Sequence, residues 1–240
     1  MPDLKSLLSA AADNVSFLLV CLGVFLVLVL LAKLAETFLL NHKPKWDARR
    51  ISFIAIFAAM AAILMYFEFS LPFAPSFYQI DLSEVPVLIC SFSLGPVAGV
   101  TCELLKIILK LLLKGTSTAF VGDFANFVIG CTFLLPASIF YYRKKNKKNA
   151  ILGMAVGTVV MTTFGSFFNA VYLIPAFSLL YGQPVEAIVS MGTAINPAIT
   201  SVSTLVLLAV VPFNLFKSLI QSVLTYLLYK RIARLLRLRQ

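Results

Sequence analysis

The chain has 240 residues, of which 60% are hydrophobic and 12% are charged, with a net charge of +10. Soluble domains carry about twice that charged fraction, so the composition excludes an ordinary soluble protein. It predicts an all-α integral membrane protein, because helices satisfy their own backbone hydrogen bonds in lipid. The length allows about six or seven spans of about 20 residues.

The positive charge does not indicate a nucleic-acid partner, because it is concentrated in three short clusters. Fourteen of the twenty Lys and Arg residues lie at 43–50, 143–148 and 230–239. Basic clusters next to apolar segments mark the cytoplasmic side of a membrane. The pattern therefore predicts a multi-pass protein of the plasma membrane with its N-terminus outside and its C-terminus in the cytoplasm.

The apolar segments predict a series of membrane helices. The run at 197–211 is only about fifteen residues long, which favours a re-entrant or interfacial helix over a span. A separate last helix then starts at Pro212, since the missing N–H of a proline costs nothing in a first turn. The expected helices cover 15–40, 51–69, 85–94, 97–113, 122–142, 150–180 and 212–229.

The helix at 51–69 carries small residues four positions apart, Ala55/Ala59 and Ala58/Ala62. Small residues allow another helix to approach closely within a membrane. The pairs suit docking of a partner protein or packing inside this bundle, and the pattern leaves both open.

The last predicted helix contains Asn214 and Lys217, which share a face because they are three residues apart. An ionisable group inside a span is costly and by default marks a functional site. The alternative is a lysine that extends to the lipid headgroups beside a capping asparagine.

Other polar and aromatic residues fall on the same predicted outer side. Phe77 and Tyr78 lie in a loop at 70–84, where rings either stack over a ligand or form an aromatic belt. Asn126 and Asn169 add amides, which present a donor and an acceptor together. With Asn214 and Lys217, these groups predict a mostly apolar pocket for a planar heterocycle.

No catalytic or metal-binding pattern accompanies this pocket. The four cysteines are scattered through apolar runs, and the chain has one histidine, so neither a metal site nor a disulfide framework is expected. The motifs G-x-x-x-x-G-K-[ST], H-E-x-x-H and G-x-S-x-G are absent from the sequence. The chain is therefore expected to bind a ligand without catalysis and to depend on partners for energy.

Several motifs, in order, resemble those of the substrate-binding (S) components of energy-coupling factor (ECF) vitamin transporters. They are a D-x-S-x-x-P pattern at 81–86, E-L-L-K at 103–106, L-L-K-G-T at 112–116, G-D-F-A-N-F at 122–127 and P-F-N-x-x-K at 212–217. The likeness covers roughly 49–231 and is greatest to the riboflavin-specific members.

This resemblance implies a six-helix S-component bundle at 49–240, preceded at 1–48 by one extra transmembrane helix and a cytoplasmic linker. It implies that the flavin ring of riboflavin contacts Asn169, Asn214 and Lys217, under the first outer loop. It also implies that Ala55 and Ala59 dock the transmembrane coupling subunit EcfT, which carries two ATPase subunits. Riboflavin would be the transported ligand, with no cofactor.

Three alternatives remain open at this stage. The chain would also suit an S component for another vitamin, such as thiamine or folate. A membrane-embedded enzyme would use Glu103 or Asp123 with Lys106 as acid and base, although a Glu103–Lys106 pair buried in the bundle is favoured. A stand-alone carrier would work without ATP or EcfT.

Overall fold

The computed structural model describes residues 15–41, 45–116, 118 and 120–237. Parts of the predicted N-terminal domain, at 1–14 and 42–44, lie outside the described residues. The structure is a helical bundle with one short hairpin. In the first part of the chain the helices are α1 (Val15–Leu34), α2 (Ala48–Tyr66), α3 (Glu84–Leu94), α4 (Pro96–Lys114) and α5 (Val121–Arg143).

The second part of the chain contains two long helical runs, each interrupted by a π-helical turn. In the first run, α6 (Lys147–Phe168) continues through a π turn at Asn169–Leu173 into α7 (Ile174–Tyr181). A short helix, α8 (Val185–Thr193), follows. The second run joins α9 (Val202–Leu205), a π turn at Val206–Val210 and α10 (Val211–Arg237).

Capping residues account for several helix ends. Asp47 accepts a hydrogen bond from the backbone N–H of Arg50 and so caps the start of α2. Gly95, with a φ of 107°, ends α3, and Pro96 begins α4. Gly115, with a φ of 76°, ends α4.

The helix lengths agree with a membrane-spanning bundle. Among the described residues, five helical runs are long and apolar enough to cross a membrane. The 11-residue α3 is shorter and is buried over most of its length. Helix α4 carries four charged residues, three of which (Glu103, Lys106 and Lys110) are buried in the bundle. The five runs are Leu22–Leu39, Ala48–Tyr66, Val121–Arg143, Lys147–Tyr181 and Val202–Tyr229.

The predicted break before the last helix is wrong. The segment at 202–229 is one continuous run, so Pro212 lies inside a helix and not at its start, and Asn214 and Lys217 lie mid-span. The π turn at Val206–Val210 precedes the proline and makes an i→i+5 bond from the N–H of Val211. Local π geometry of this kind rearranges the carbonyls that a proline would otherwise leave unpaired, so the helix continues.

Two further features position the ends of the bundle. Strand β1 (Phe69–Ser70) pairs antiparallel with β2 (Gln79–Ile80), so the loop between them folds back onto the bundle.

A π turn at Ala35–Leu39 follows α1 and contains Glu36. The carboxylate of Glu36 accepts a hydrogen bond from the backbone N–H of Val97 at 3.1 Å. The N-terminal helix is therefore attached to the first turn of α4.

Glycines allow α5 and α6 to approach closely. A Cβ on Gly153 would lie 2.5 Å from the carbonyl oxygen of Ala137, and one on Gly157 would lie 2.5 Å from that of Phe133. Both distances are too short for a carbon–oxygen contact. Small residues at these two positions therefore set the helix spacing.

We predict that Gly157→Ala lowers the stability of the protein by about 1–3 kcal/mol, because the added methyl group forces the two backbones apart. The measurement is the thermal unfolding midpoint of the detergent-purified protein. Gly23→Ala is the matched control, since a Cβ at Gly23 meets nothing within 4 Å. Equal midpoints for the two variants would contradict the prediction.

Candidate functional site

A cavity lies between the hairpin loop and the helices α4, α5, α6 and α10. The volume of this cavity is about 130 Å³. The structure brings all six predicted binding residues to its lining, together with three charged residues to which the sequence had assigned no binding role. The predicted six are Phe77, Tyr78, Asn126, Asn169, Asn214 and Lys217, and the additional three are Glu68, Lys110 and Asp123.

The two π turns help to place the two central asparagines. Asn169 is the first residue of one π turn, and Asn214 follows the other by four residues. Pro175 and Pro212 each lie two residues beyond the end of their π turn. Single π turns inside α-helices occur frequently at functional sites, because they redirect the side chains around them.

Gly165 allows the two amides to lie close together. The Nδ2 of Asn169 donates to the carbonyl oxygen of Gly165 at 2.7 Å. A Cβ on Gly165 would lie 3.0 Å from the Nδ2 of Asn214. That Nδ2 is buried and has no hydrogen-bond partner within the described part of the chain. The site thus contains a buried donor that no described residue satisfies.

The hairpin loop occupies part of the cavity. The hydroxyl of Tyr78 donates to the Oδ1 of Asn169 at 2.7 Å, and its ring packs 4.5 Å from that of Phe77, centroid to centroid. Burial raises the pKa of the Tyr78 hydroxyl, so this group remains protonated. In this arrangement the Oδ1 of Asn169 bonds to the loop and is not available to accept a hydrogen bond from a ligand.

Lys217 points into the bundle and forms an ion pair there. Its Nζ lies 2.9 Å from the Oδ2 of Asp81, and the residue is only 6% exposed. The backbone N–H of Ser83 donates to the Oδ1 of Asp81, and the side-chain amide of Gln221 donates to its backbone carbonyl. These bonds hold the carboxylate in place and exclude the interpretation that Lys217 extends to the headgroups.

The charge state of Asp81 follows from these neighbours. Burial would raise the pKa of this carboxyl, but the ammonium groups of Lys217 and Lys106 outweigh burial and lower the pKa to about 2. This value lies below the ordinary aspartate pKa of about 3.9. The stabilisation from the pair is therefore fully present above about pH 4 and is lost only as the pH falls through about 2.

Two more groups of charges are buried nearby. Lys110 lies 2.6 Å from Asp123, and both residues line the cavity. Lys106 is fully buried, 2.8 Å from Glu84 and 2.6 Å from Glu103, and it is not one of the residues that line the cavity. The predicted Glu103–Lys106 pairing is therefore present, and Lys106 is held away from any substrate in the cavity.

A family model described as "ECF transporter, substrate-specific component" matches residues 49–229. The chain belongs to the ECF transporter S components. The match begins at the start of α2 and reaches into α10, so it includes the whole cavity lining. Helix α1 lies outside it.

Similar proteins are named as riboflavin transporters. Riboflavin transporter RibU of Staphylococcus aureus (strain TCH60) is 31% identical over 79% of this chain and 93% of its own length. Riboflavin transporter FmnP of Bacillus subtilis (strain 168) is 26% identical over 77% of this chain and 92% of its own length. A solved structure described as the S component of a bacterial ECF transporter has a TM-score of 0.62 at 35% identity, covering 78% of this chain and 97% of that one.

These relatives confirm the predicted all-α membrane fold and its S-component family. They are transport proteins, so this S component is a substrate-binding subunit and not an enzyme. The membrane-embedded enzyme considered from the sequence is thereby excluded.

Sequence reasoning missed the ionic partners of the site. The Asp81–Lys217 pair joins residues 136 positions apart, and no helical spacing links them. The sequence does contain carboxylates and lysines within or beside its apolar segments, and such groups are expected to form ion pairs. This pattern predicts that pairs form but not which residues form each pair.

We predict that Asp81→Asn destabilises the protein by about 3–5 kcal/mol, because it leaves a buried ammonium without a counter-ion. The double variant Asp81→Asn/Lys217→Met removes both charges and should recover most of that loss. The measurement is the thermal unfolding midpoint of the purified single and double variants. A double variant as unstable as the single one would show that the ion pair is not the cause.

Proposed function

We propose that this S component captures riboflavin from outside the cell and delivers it to an ATP-driven partner module. One observation carries the proposal: Asn169, Asn214 and Lys217 come from two separate helical runs and line one cavity with Phe77 and Tyr78. The names of the relatives support the same ligand.

The lining matches the chemistry of a flavin. The edge of its ring system alternates carbonyl oxygens with an N–H group, and an asparagine presents both a donor and an acceptor. The free Nδ2 of Asn214 suits a carbonyl oxygen, the amide of Asn169 suits the N–H, and Lys217 suits a second oxygen. The rings of Phe77 and Tyr78 offer apolar faces for stacking.

Ligand entry requires the hairpin loop to move. Pockets for ligands of this size usually measure about 300–1,000 Å³, whereas this cavity measures only about 130 Å³. Displacing Tyr78 would enlarge the cavity and release the Oδ1 of Asn169. The loop would then cover the bound vitamin.

The energy for uptake would come from partners. We propose that the coupling subunit EcfT docks on α2 and that two ATPase subunits bind EcfT. Ala55 and Ala59 are exposed on one face of α2, whereas Ala58 and Ala62 are buried against the bundle. The first pair therefore offers a surface that another helix can approach closely.

The proposed orientation follows the three basic clusters. With those clusters in the cytoplasm, the N-terminus lies outside, the C-terminus lies inside, and the cavity opens toward the outer surface of the plasma membrane. Residues 1–48 would form an addition to the six-helix S-component domain at 49–240.

The absorption spectrum of the purified protein tests the ligand most directly. A preparation that is yellow, or that quenches added riboflavin fluorescence with saturation, supports the proposal. Saturable binding of thiamine or folate without riboflavin binding would show that the ligand is another vitamin. Uptake into vesicles that lack ATP and EcfT would show a stand-alone carrier.

We predict that Asn214→Ala weakens riboflavin binding by about 1–3 kcal/mol, because it removes a polar contact to the ring. We expect a similar loss for Lys217→Met made together with Asp81→Asn, a double variant that leaves no buried charge unpaired. Fluorescence titration measures the affinity. Asn149→Ala is the matched control, since Asn149 lies outside the cavity lining and bonds to the carbonyl of Phe140. Unchanged affinity in both site variants would show that these residues do not contact the bound riboflavin.

We predict that Ala55→Leu/Ala59→Leu prevents assembly with EcfT but leaves riboflavin binding intact, because the larger side chains keep the partner helix at a distance. Co-purification with EcfT and the two ATPase subunits measures assembly. The control is Ala155→Leu, an equally exposed change on α6. Normal assembly of the double variant would show that docking occurs elsewhere.

A further inference from the structure

The buried group of Lys106, Glu84 and Glu103 lies apart from the ligand cavity. The Nζ of Lys106 is 2.8 Å from the Oε1 of Glu84 on α3 and 2.6 Å from the Oε1 of Glu103, one turn earlier on α4. The three side chains are at most 1% exposed, and none of them is among the residues that line the cavity. Bulk water therefore cannot stabilise their charges.

The two carboxylates of this group lie against the same point on α5. A Cβ on Gly130 would come closer than 3.0 Å to the Oε1 of Glu103 and also to the Oε1 of Glu84. Both carboxylates share the single ammonium of Lys106. Two buried carboxyl groups this close do not both ionise readily, because their negative charges repel each other.

The formal charges of the group do not cancel, since one ammonium faces two carboxylates. The nearby Asp81 supplies no further cation, because it is itself paired with Lys217 at 2.9 Å. The thiols of Cys102 on α4 and Cys131 on α5 also adjoin the group, and a thiol is uncharged at neutral pH. With both glutamates ionised, one buried negative charge would remain uncompensated, which is very costly.

The two glutamates differ in how well each holds a negative charge. Glu84 is the first residue of α3, where the helix dipole favours an anion, and its Oε1 accepts a hydrogen bond from Lys106. Glu103 lies in the middle of α4, and neither of its oxygens has a hydrogen-bond partner in the described part of the chain. Among the described residues, no group of three or more His, Cys, Asp and Glu side chains could hold a metal ion.

We propose that Glu103 is a proton-binding site, whose carboxyl holds one proton at neutral pH and so makes the group of Glu84, Glu103 and Lys106 neutral as a whole. The proton replaces a second counter-ion and gives Glu103 a hydroxyl that can donate a hydrogen bond. It is released when the chain unfolds, because an exposed glutamate is ionised above about pH 4.3. This inference does not rest on the proposed riboflavin function.

Infrared difference spectroscopy of the detergent-purified protein tests the inference directly, because a protonated carboxyl absorbs separately from carboxylates and amides. The difference between the wild type and Glu103→Gln at neutral pH should contain the C=O band of one protonated carboxyl, and this band should shift in D₂O. Glu186→Gln is the matched control, since Glu186 is exposed on α8 and its replacement should leave the band in place. A difference spectrum for Glu103→Gln without the band would overturn the inference.

A second spectrum needs only the wild type. Glutamate labelled with ¹³C at its side-chain carboxyl moves the band of a protonated glutamic acid, so the labelled protein should show a moved band at neutral pH. If no band moves, the wild type contains no protonated glutamate. The inference would then be overturned even if Glu103→Gln fails to fold.

The pH dependence of stability provides an independent readout. A group that is protonated in the folded protein and ionised in the unfolded chain raises the unfolding equilibrium constant about tenfold for each pH unit. The thermal unfolding midpoint of the wild type should therefore fall more steeply from about pH 6 to about pH 9 than that of Glu103→Gln, which has no such proton to lose. Parallel curves would contradict the inference.

An alkali-metal cation in place of the proton would give a different result. The wild-type midpoint would then rise when Na⁺ or K⁺ replaces a large organic cation at constant ionic strength, and the midpoint of Glu103→Gln would not. We expect no such difference between the two proteins. Observing it, together with the absence of the protonated-carboxyl band, would show that a metal cation neutralises the group and would overturn the inference.

Discussion

The structure depends on pairing the charged groups buried around the cavity with groups of opposite charge. An unpaired charge in such surroundings is very costly. Two sets of contacts meet this requirement. Lys217 pairs with Asp81, and Lys106 pairs with two glutamates. These pairs therefore connect the loop before α3 to α10 and α3 to α4, and they hold the walls of the cavity together.

The same requirement shapes the binding chemistry. Because the lysines of the lining are paired with carboxylates, a ligand would meet mainly hydrogen-bonding groups there, such as the amides of Asn169 and Asn214. A site of this kind selects a ligand by the positions of its donors and acceptors rather than by its charge. It suits a neutral planar ligand better than a charged one, in agreement with the proposed riboflavin function.

The sequence predicted most of the helices and the gathering of six polar and aromatic residues at one cavity, because hydropathy and polar residues in apolar runs are strong local signals. It failed at Pro212, where the rule that proline starts a helix was overridden by the π turn before it. It also missed that Asp81 pairs with Lys217 and that Tyr78 bonds to Asn169, because such contacts arise from tertiary packing. Local patterns locate a site's residues, but folding determines their partners.

The π turn at Val206–Val210 makes the site sensitive to chain length as well as to residue type. Each residue of an α-helix advances the side-chain direction by about 100°, and a π turn accommodates one residue more than a regular turn does. Deleting a single alanine or leucine there would rotate Asn214 and Lys217 together toward a different neighbour. A homologue with every proposed binding residue intact but one residue fewer in this turn would thus present another surface to the cavity, and an alignment gap would be the visible sign of altered selectivity.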